Sequence, residues 1–224
     1  MNSDKVLVRE NVETLHLSHS IYLKVKRIFD VMIGLFGIVM VLPLAFMIKA
    51  ISIYNRDYNS IFFKQQRIGK DGKLFWMYKF RTMVPNADEM LENLMKNDAT
   101  FREEYTVNKK VKNDPRVTKA GKFLRKTSLD EIPQFINVFL GQMSLVGNRP
   151  YLPREKEDIG VYFNQIVKTK PGITGLWQTS GRSNVTFNER VQIESRYSSL
   201  QSAKTDVKII KNTIVQVVKK DGAM

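Results

Sequence analysis

The chain has 224 residues, with 36 Lys+Arg against 22 Asp+Glu and a formal net charge of +14. At 43% hydrophobic and 10% aromatic it holds enough apolar material for a packed core, which excludes a disordered chain, and a mean hydropathy of −0.27 excludes a polytopic membrane protein. With no cysteine, and with His16 and His19 as its two histidines, it cannot build a disulfide scaffold, a Cys-ligated metal or cluster, a thiol nucleophile or a His-based triad in its body. Chemistry here must use carboxylates, hydroxyls, Lys or Arg. The pI near 9.9 points to a polyanionic partner: nucleic acid, an anionic membrane surface or a phosphorylated substrate.

Residues 1–20 are polar without a clear period and read as a loose arm. Lys24, Lys26 and Arg27 then lead into eighteen residues without a charge, Val31–Ile48, closed by Lys49. As a helix this run measures about 27 Å, close to the hydrocarbon thickness of a bilayer. A spanning helix, a re-entrant segment and a buried core helix all fit that length. Pro43 inside the run, and basic residues at both ends (Lys24, Lys26 and Arg27, then Lys49, Arg56, Lys64 and Arg67), favour re-entry over a span.

Ile61–Arg67 and Lys73–Phe80, separated by Gly69, Asp71 and Gly72, predict a β-hairpin. Met90, Leu91, Leu94 and Met95 predict a helix over 86–97. Lys109–Lys126 carries eight basic residues and one acid, Asp114. A short helix is expected over Ile132–Leu140, closed by Gly141. Two more are expected over Phe187–Leu200 and Thr205–Val218, the last with Val207, Ile210, Ile214 and Val217 on one face and lysines around it. That face suits either a core or a membrane surface.

The densest chemistry lies at Asp130 and Glu131, preceded by Arg125 and Lys126. A helix start favours ionised carboxylates, which serve as nucleophiles or as ligands for a hard cation; neighbouring Arg and Lys hold phosphate oxygens. The competing reading is structural, since Ser128-x-x-Glu131 has the form of a capping box. Lys79-Phe80-Arg81-Thr82-Met83 places two cations beside an aromatic. Gly-containing loops at Leu145–Pro150 and Gly172–Gln178 can approach a ligand or simply turn the chain. Neither a Walker phosphate loop nor a dinucleotide fingerprint is present.

Taken in order, Lys26-Arg-Ile-Phe-Asp30 before the apolar run, Lys79–Met83, Asp114-Pro-Arg-Val-Thr118, Leu124-Arg125, Ser128-Leu-Asp-Glu-Ile-Pro-Gln134, Asn137-Val138, Gly141–Gly147, Arg149-Pro150 and Gly172-Ile-Thr-Gly175 closely resemble the bacterial monotopic phosphoglycosyl transferases, or bacterial sugar transferases. The resemblance runs from about residue 22 to the C-terminus. It implies an α+β, mostly helical, monotopic membrane protein with an N-terminal re-entrant helix broken at Pro43, a small β-hairpin and amphipathic interfacial helices. The implied division is 1–20 flexible arm, 21–58 membrane-associated re-entrant helix and 59–224 catalytic domain on the cytoplasmic face of the bacterial inner membrane, in the minimal catalytic form of the family.

The implied reaction moves a sugar-1-phosphate from a UDP-sugar to polyprenyl (undecaprenyl) phosphate through a covalent aspartyl-phosphosugar, as the first membrane step of exopolysaccharide, capsule or glycan assembly. Asp130 and Glu131 become the catalytic dyad, with Mg2+ as cofactor on Glu131. Arg125, Lys79, Arg81, Arg149 and Pro150 become substrate contacts. Membrane lipids and downstream glycosyltransferases are the further partners, and nucleic acid is not one. Gly175–Arg182 and the ending Gly222-Ala-Met224 resemble hexose-1-phosphate transferases, favouring glucose or galactose. Two positions depart from the family pattern: Asn148 stands where a Pro is usual, and Leu42 precedes Pro43 where a Ser is usual. The alternatives are a non-enzymatic basic scaffold on anionic lipid and a nucleic-acid binder; the apolar run has no use in the latter.

Overall fold

The structure, a computed structural model, describes the backbone of residues 3–109, 111–180 and 185–219, and side chains from residue 18 to residue 216 within those ranges. Parts of the hexose-transferase signature, Gly181, Arg182 and Gly222–Met224, lie outside the described residues, as does the Val217 side chain.

Helix α1 spans Ser3–Tyr54, 52 residues. The stretch read as a loose arm is therefore helical in its backbone from Ser3. It contains no Gly or Pro before Gly34, and extending an existing helix is far easier than nucleating one. The expected break at Pro43 is also absent, since the helix runs through it to Tyr54. Pro43 removes the N–H that would bond the Val39 carbonyl. Packing on both sides of it holds the helix together: Val41 before it and Leu44, Ala45 and Ile48 after it join one cluster with Ile61, Phe80 and Leu124.

One stripe of α1 is buried: Asp30, Gly34, Gly37, Val41 and Ile48, at three- and four-residue spacing with one further turn carried by Leu44 and Ala45. Asp30 accepts hydrogen bonds from Ser144 Oγ (3.0 Å) and Leu145 N (2.8 Å). Arg27 donates to the carbonyls of Val138 and Phe139, both at 2.7 Å. Lys26 pairs with Asp206. The opposite face is open, with Ile28, Met32, Phe36, Leu42 and Phe46 each at least 60% exposed. Only 22% of the most apolar window of this helix is buried, so it is not a core helix.

Strands β1 (Phe62–Ile68) and β2 (Leu74–Phe80) form the expected antiparallel hairpin, with Phe63 opposite Lys79 and Arg67 opposite Phe75. Helices α2 (Ala87–Asn97), α3 (Ala99–Asn108), α4 (Lys119–Lys126) and α5 (Gln134–Phe139) follow. Short parallel strands β3 (Ser144–Val146) and β4 (Gly172–Thr174) pair within the two Gly-containing segments. Two one-turn helices, α6 (Lys156–Ile159) and α7 (Phe163–Ile166), lie between them. The chain ends with α8 (Phe187–Leu200) and α9 (Ala203–Lys219).

The apolar face of α9 is only partly packed: Ile210 lies against the cluster of Val146, Tyr197 and Ile209. Ile209 and Asp206 are buried, whereas Val207 is 64% and Ile214 59% exposed, beside exposed Lys208 and Lys211. Asp206 turns that side inward by accepting bonds from Tyr22 and Tyr197, each at 2.7 Å.

The fit of α1 on α5 leaves no room at Gly37: a Cβ there meets Phe135 Cγ at 2.1 Å. In an open helix Gly→Ala stabilises by about 1 kcal/mol. Gly37→Ala is expected instead to destabilise by about 1–3 kcal/mol through overpacking, seen as a lowered melting temperature of the purified protein.

Candidate functional site

The site is assembled by segment 112–118 lying along the end of β2. Asp114 accepts three bonds from Arg116, from the backbone N (3.0 Å), Nε (2.9 Å) and Nη2 (2.6 Å), which fixes this turn as a buried ion pair. Val84 N donates to the Arg116 carbonyl (2.9 Å), and Thr118 N to the Thr82 carbonyl (3.0 Å). Thr118 then caps α4, accepting from Gly121 N at 2.9 Å. Gly121 lies so close to Thr82 that an added Cβ would meet its carbonyl oxygen at 1.9 Å. The last turn of α4 thereby brings Arg125 to the strand end, where Nε donates to Thr82 Oγ1 at 3.0 Å.

Asp130 and Glu131 lie on a 3₁₀ turn, Leu129–Glu131, between α4 and α5. Their neighbours Leu129 and Ile132 pack into the cluster formed by Val41, Leu44, Ala45 and Ile48 of α1, so the turn is fastened to the apolar helix. The capping-box reading fails here: Ser128 is left-handed (φ 56°) and makes no side-chain cap bond. Glu131 instead accepts from Lys79 Nζ at 2.7 Å, and Lys79 stands 3.8 Å from Asp130 Oδ2.

The expectation that a helix start favours ionised Asp130 is also corrected. The helix begins four residues later, at Gln134, and burial of Asp130, 7% exposed, pushes its carboxyl above the usual range. The charge of Glu131 adds to that rise, while Lys79 and Arg125 oppose it. Burial likewise holds Arg125 below its usual value, against the pull of Asp130 and Asp114.

Lys79, Arg125, Asp130 and Glu131 are thus brought together. Arg81 is engaged elsewhere: Nε donates to the Ser60 carbonyl and Nη2 to Asp57 Oδ2, both at 2.6 Å. It ties the chain after α1 to the end of β2, and that interaction holds the Asp57 carboxyl below its ordinary value. Pro150 is buried and its carbonyl accepts from Arg67 Nη1 at 3.0 Å. Arg149 packs over Trp177 at 5.8 Å, and its backbone N donates to Glu194 at 3.2 Å. Asn148 is buried and pinned: its side chain donates to the Ile166 carbonyl (3.2 Å) and its own carbonyl accepts from Gly172 N (2.8 Å).

Arg67, Arg190 and Glu194 border Arg149 and are not singled out by the sequence reading. The hairpin register holds the signal for Arg67. Phe63 opposes Lys79, and Arg67, four residues on, faces the same side. Among the described residues there is no cluster of three or more His, Asp or Glu; Asp130 and Glu131 are the adjacent carboxylates of the site.

The chain is similar to known proteins over most of its length. The family model of the bacterial sugar transferases matches residues 21–220. A UDP-galactose-lipid carrier transferase of Erwinia amylovora is 43% identical over 88% of this chain and 41% of its own length. An undecaprenyl-phosphate galactose phosphotransferase of Salmonella typhimurium is 42% identical with the same coverage. The exopolysaccharide production protein ExoY of Rhizobium meliloti is 39% identical over 88% of this chain and 87% of its own. The chain belongs to the bacterial sugar transferase family. It spans about two fifths of the first two relatives and most of the third.

Because burial raises the Asp130 pKa, ionising it destabilises the fold, and stability falls as pH rises from the ordinary carboxylate range through its folded value. Asp130→Asn is therefore expected to melt no lower than the wild type at pH 8. Lys79→Met removes the cation that favours ionised Asp130 and should move the acid limb of the pH–rate profile to higher pH, with kcat/KM reduced about 100-fold. Melting curves and pH–rate profiles of the two variants check this.

Proposed function

We propose that the chain is a phosphoglycosyl transferase that moves a hexose-1-phosphate from a UDP-sugar to polyprenyl phosphate at the cytoplasmic face of the inner membrane, opening the assembly of an exopolysaccharide or capsule. The observation that carries this reading is the buried Asp130 carboxylate beside the part-exposed Glu131, with Lys79 bonded to Glu131 and Arg125 nearby, on a turn fastened to an exposed apolar helix. The names of the first two relatives, both specifying galactose, support that sugar.

Asp130 attacks the β-phosphorus of the UDP-sugar. A carboxylate-to-phosphorus bond forms, the bond from phosphorus to the bridging oxygen breaks, and its electron pair leaves on that oxygen as UMP. The lipid phosphate oxygen then attacks the same phosphorus, and Asp130 departs as carboxylate. Its raised pKa makes the buried ion a better nucleophile than a solvated one once it is deprotonated. Lys79 keeps Glu131 and Asp130 oriented, and Arg125, aligned by Thr82, faces the developing phosphate charge. Glu131 would hold Mg2+, which binds through one or two carboxylates together with substrate phosphates. When bound there, the ion neutralises phosphate charge.

Residues Tyr22 to Ile48 of α1 touch the same body that carries Asp130. A perpendicular span of Val31–Ile48 would draw the segments packed on Val41, Leu44, Ala45 and Ile48, the Asp130 turn among them, into hydrocarbon. The open face of the helix is far larger than the scattered apolar residues that a soluble surface carries. Both features support a helix that enters the bilayer from one side and stays docked to the body, with the lipid phosphate delivered beside Leu129 and Ile132. Downstream glycosyltransferases are the expected consumers of the lipid product.

Wild-type protein incubated with UDP-galactose and Mg2+, without lipid acceptor, should gain the mass of one hexose-phosphate and release one UMP; Asp130→Asn should do neither. Release of UMP only when acceptor is present, with no mass gain, excludes the covalent step, and no UMP under any condition favours a scaffold. Since the chain has no cysteine, single Cys probes at Ser20 and Asn59 should both be shielded from an impermeant thiol reagent in intact cells and both label in inverted vesicles. Labelling of one from each side identifies a span.

A further inference from the structure

Beside the dyad lies a second cluster of cations that the reaction scheme above does not use. Arg67 of β1 and Arg190 of α8 are 8% and 6% exposed, and Arg149 of the loop after β3 adjoins both. Burial, and next the charge of Arg149, hold the Arg67 and Arg190 guanidiniums below their usual range. Among the described residues, Nε of each of the three arginines and Nη2 of Arg190 have no hydrogen-bond acceptor, and no ion pair within 4.0 Å joins any of them to a carboxylate.

The nearby acids are committed in part elsewhere. Glu194 accepts the Arg149 backbone N–H, and Glu155 accepts Leu152 N at 2.7 Å. Aromatic rings wall the cluster: Arg190 lies 5.1 Å from the Trp177 centroid, 5.4 Å from Tyr151 and 4.6 Å from Phe187. Cation–π contacts orient guanidiniums but do not replace acceptors for their N–H groups. Buried, mutually repelling and under-bonded cations are strongly unfavourable unless an anion completes them.

We propose that Arg67, Arg149 and Arg190 form an anion cradle for the α-phosphate of the nucleoside diphosphate, the phosphate that departs as the nucleoside monophosphate. The assignment rests on the transferase reading above. The Nε–Nη2 edge of Arg190 matches a pair of phosphate oxygens, while Arg67, whose Nη atoms donate to the Pro150 carbonyl and Gln65 Oε1, adds its Nε and its charge. The hairpin register relates the cradle to the dyad: Arg67 shares a sheet face with Phe63, the residue opposite Lys79, and Lys79 bonds Glu131. The cradle's walls belong to a core of Ile68, Tyr151, Ile159 and Phe187, separate from the α1 cluster that carries the dyad turn. The water-soluble leaving group and the lipid acceptor therefore have different sides of the site. As the Asp130 carboxylate bonds to the β-phosphorus and the bridging bond breaks, the electron pair collects on the oxygen that stays with the α-phosphate. Donors already in place stabilise that charge without reorganising.

The two tryptophans, Trp76 and Trp177, allow a direct test on the full-length chain in detergent. In a Trp76→Phe background the remaining fluorescence reports on Trp177. UMP and inorganic pyrophosphate should change it saturably, and uridine should not in the same range. Arg190→Gln should weaken UMP binding at least tenfold, Lys204→Gln on the exposed side of α9 should leave it unchanged, and Arg149→Gln serves as the second variant if Arg190→Gln melts early. In single turnover, Arg190→Gln should slow formation of the phosphosugar adduct at least tenfold, yet leave transfer from preformed adduct to polyprenyl phosphate near wild type, because the α-phosphate has gone by then. Adduct formation in wild type with no response of Trp177 to UMP or pyrophosphate, or equal slowing of both half-reactions, overturns the cradle alone. UMP binding at Trp177 with no adduct and no UMP release overturns the transferase reading and leaves the anion site standing.

Discussion

The molecule depends on how one helix face meets the turn that carries Asp130. Leu129 and Ile132, on either side of the carboxylate pair, sink into the same cluster as Val41, Leu44, Ala45 and Ile48. The stripe that allows this contact continues back along α1 through Gly37, Gly34 and Asp30, ending on β3 with the bonds to Ser144 and Leu145. Helix α5 lies between these anchors. Its Asn137 accepts from Tyr78 N and donates to the Trp76 carbonyl, clamping the hairpin that supplies Lys79. The apolar segment thus becomes a wall of the site, and the position of the dyad relative to that helix follows from side-chain packing.

Against that wall, electrostatics are arranged with opposing signs. Desolvation raises the energy of ionised Asp130, and Lys79 and Arg125 lower it. In the mechanism proposed above, this balance stands in for a histidine or thiol. Similar logic holds at the structural pairs, with different outcomes. Arg81 with Asp57, and Arg116 with Asp114, are matched at short distance and serve as braces. The arginines around Trp177 are not matched, and that imbalance separates a binding role from a bracing one.

Much of the secondary structure was legible in the sequence because it is local. The β1–β2 hairpin follows from β-branched and aromatic runs around Gly69 and Gly72, and α8 occupies the expected Phe187–Leu200, opened by a Thr186–Glu189 capping box that the structure reveals. The similar Ser128–Glu131 pattern is not formed, because Glu131 has a stronger partner in Lys79, 52 residues away in sequence. Strands β3 and β4, three residues each, are too short to show a period. For the apolar face of α9 the sequence left a core and a membrane surface open; the fold packs Ile210, leaves Val207 and Ile214 exposed and holds Asp206 inward through Tyr22, Lys26 and Tyr197.

By itself the sequence determined the class of chemistry: a basic chain without Cys, with one long apolar helix and a carboxylate pair beside Arg125. Its ordered motifs determined the family, since each reflects a local backbone requirement that survives in one dimension. Only the tertiary structure decided that Pro43 does not interrupt α1, that Arg81 braces and does not face the dyad, and that Arg67, Arg149 and Arg190 converge. These outcomes depend on which side chains from distant segments share one buried volume. Burial, pairing and repulsion act through space, and no spacing along the chain encodes them.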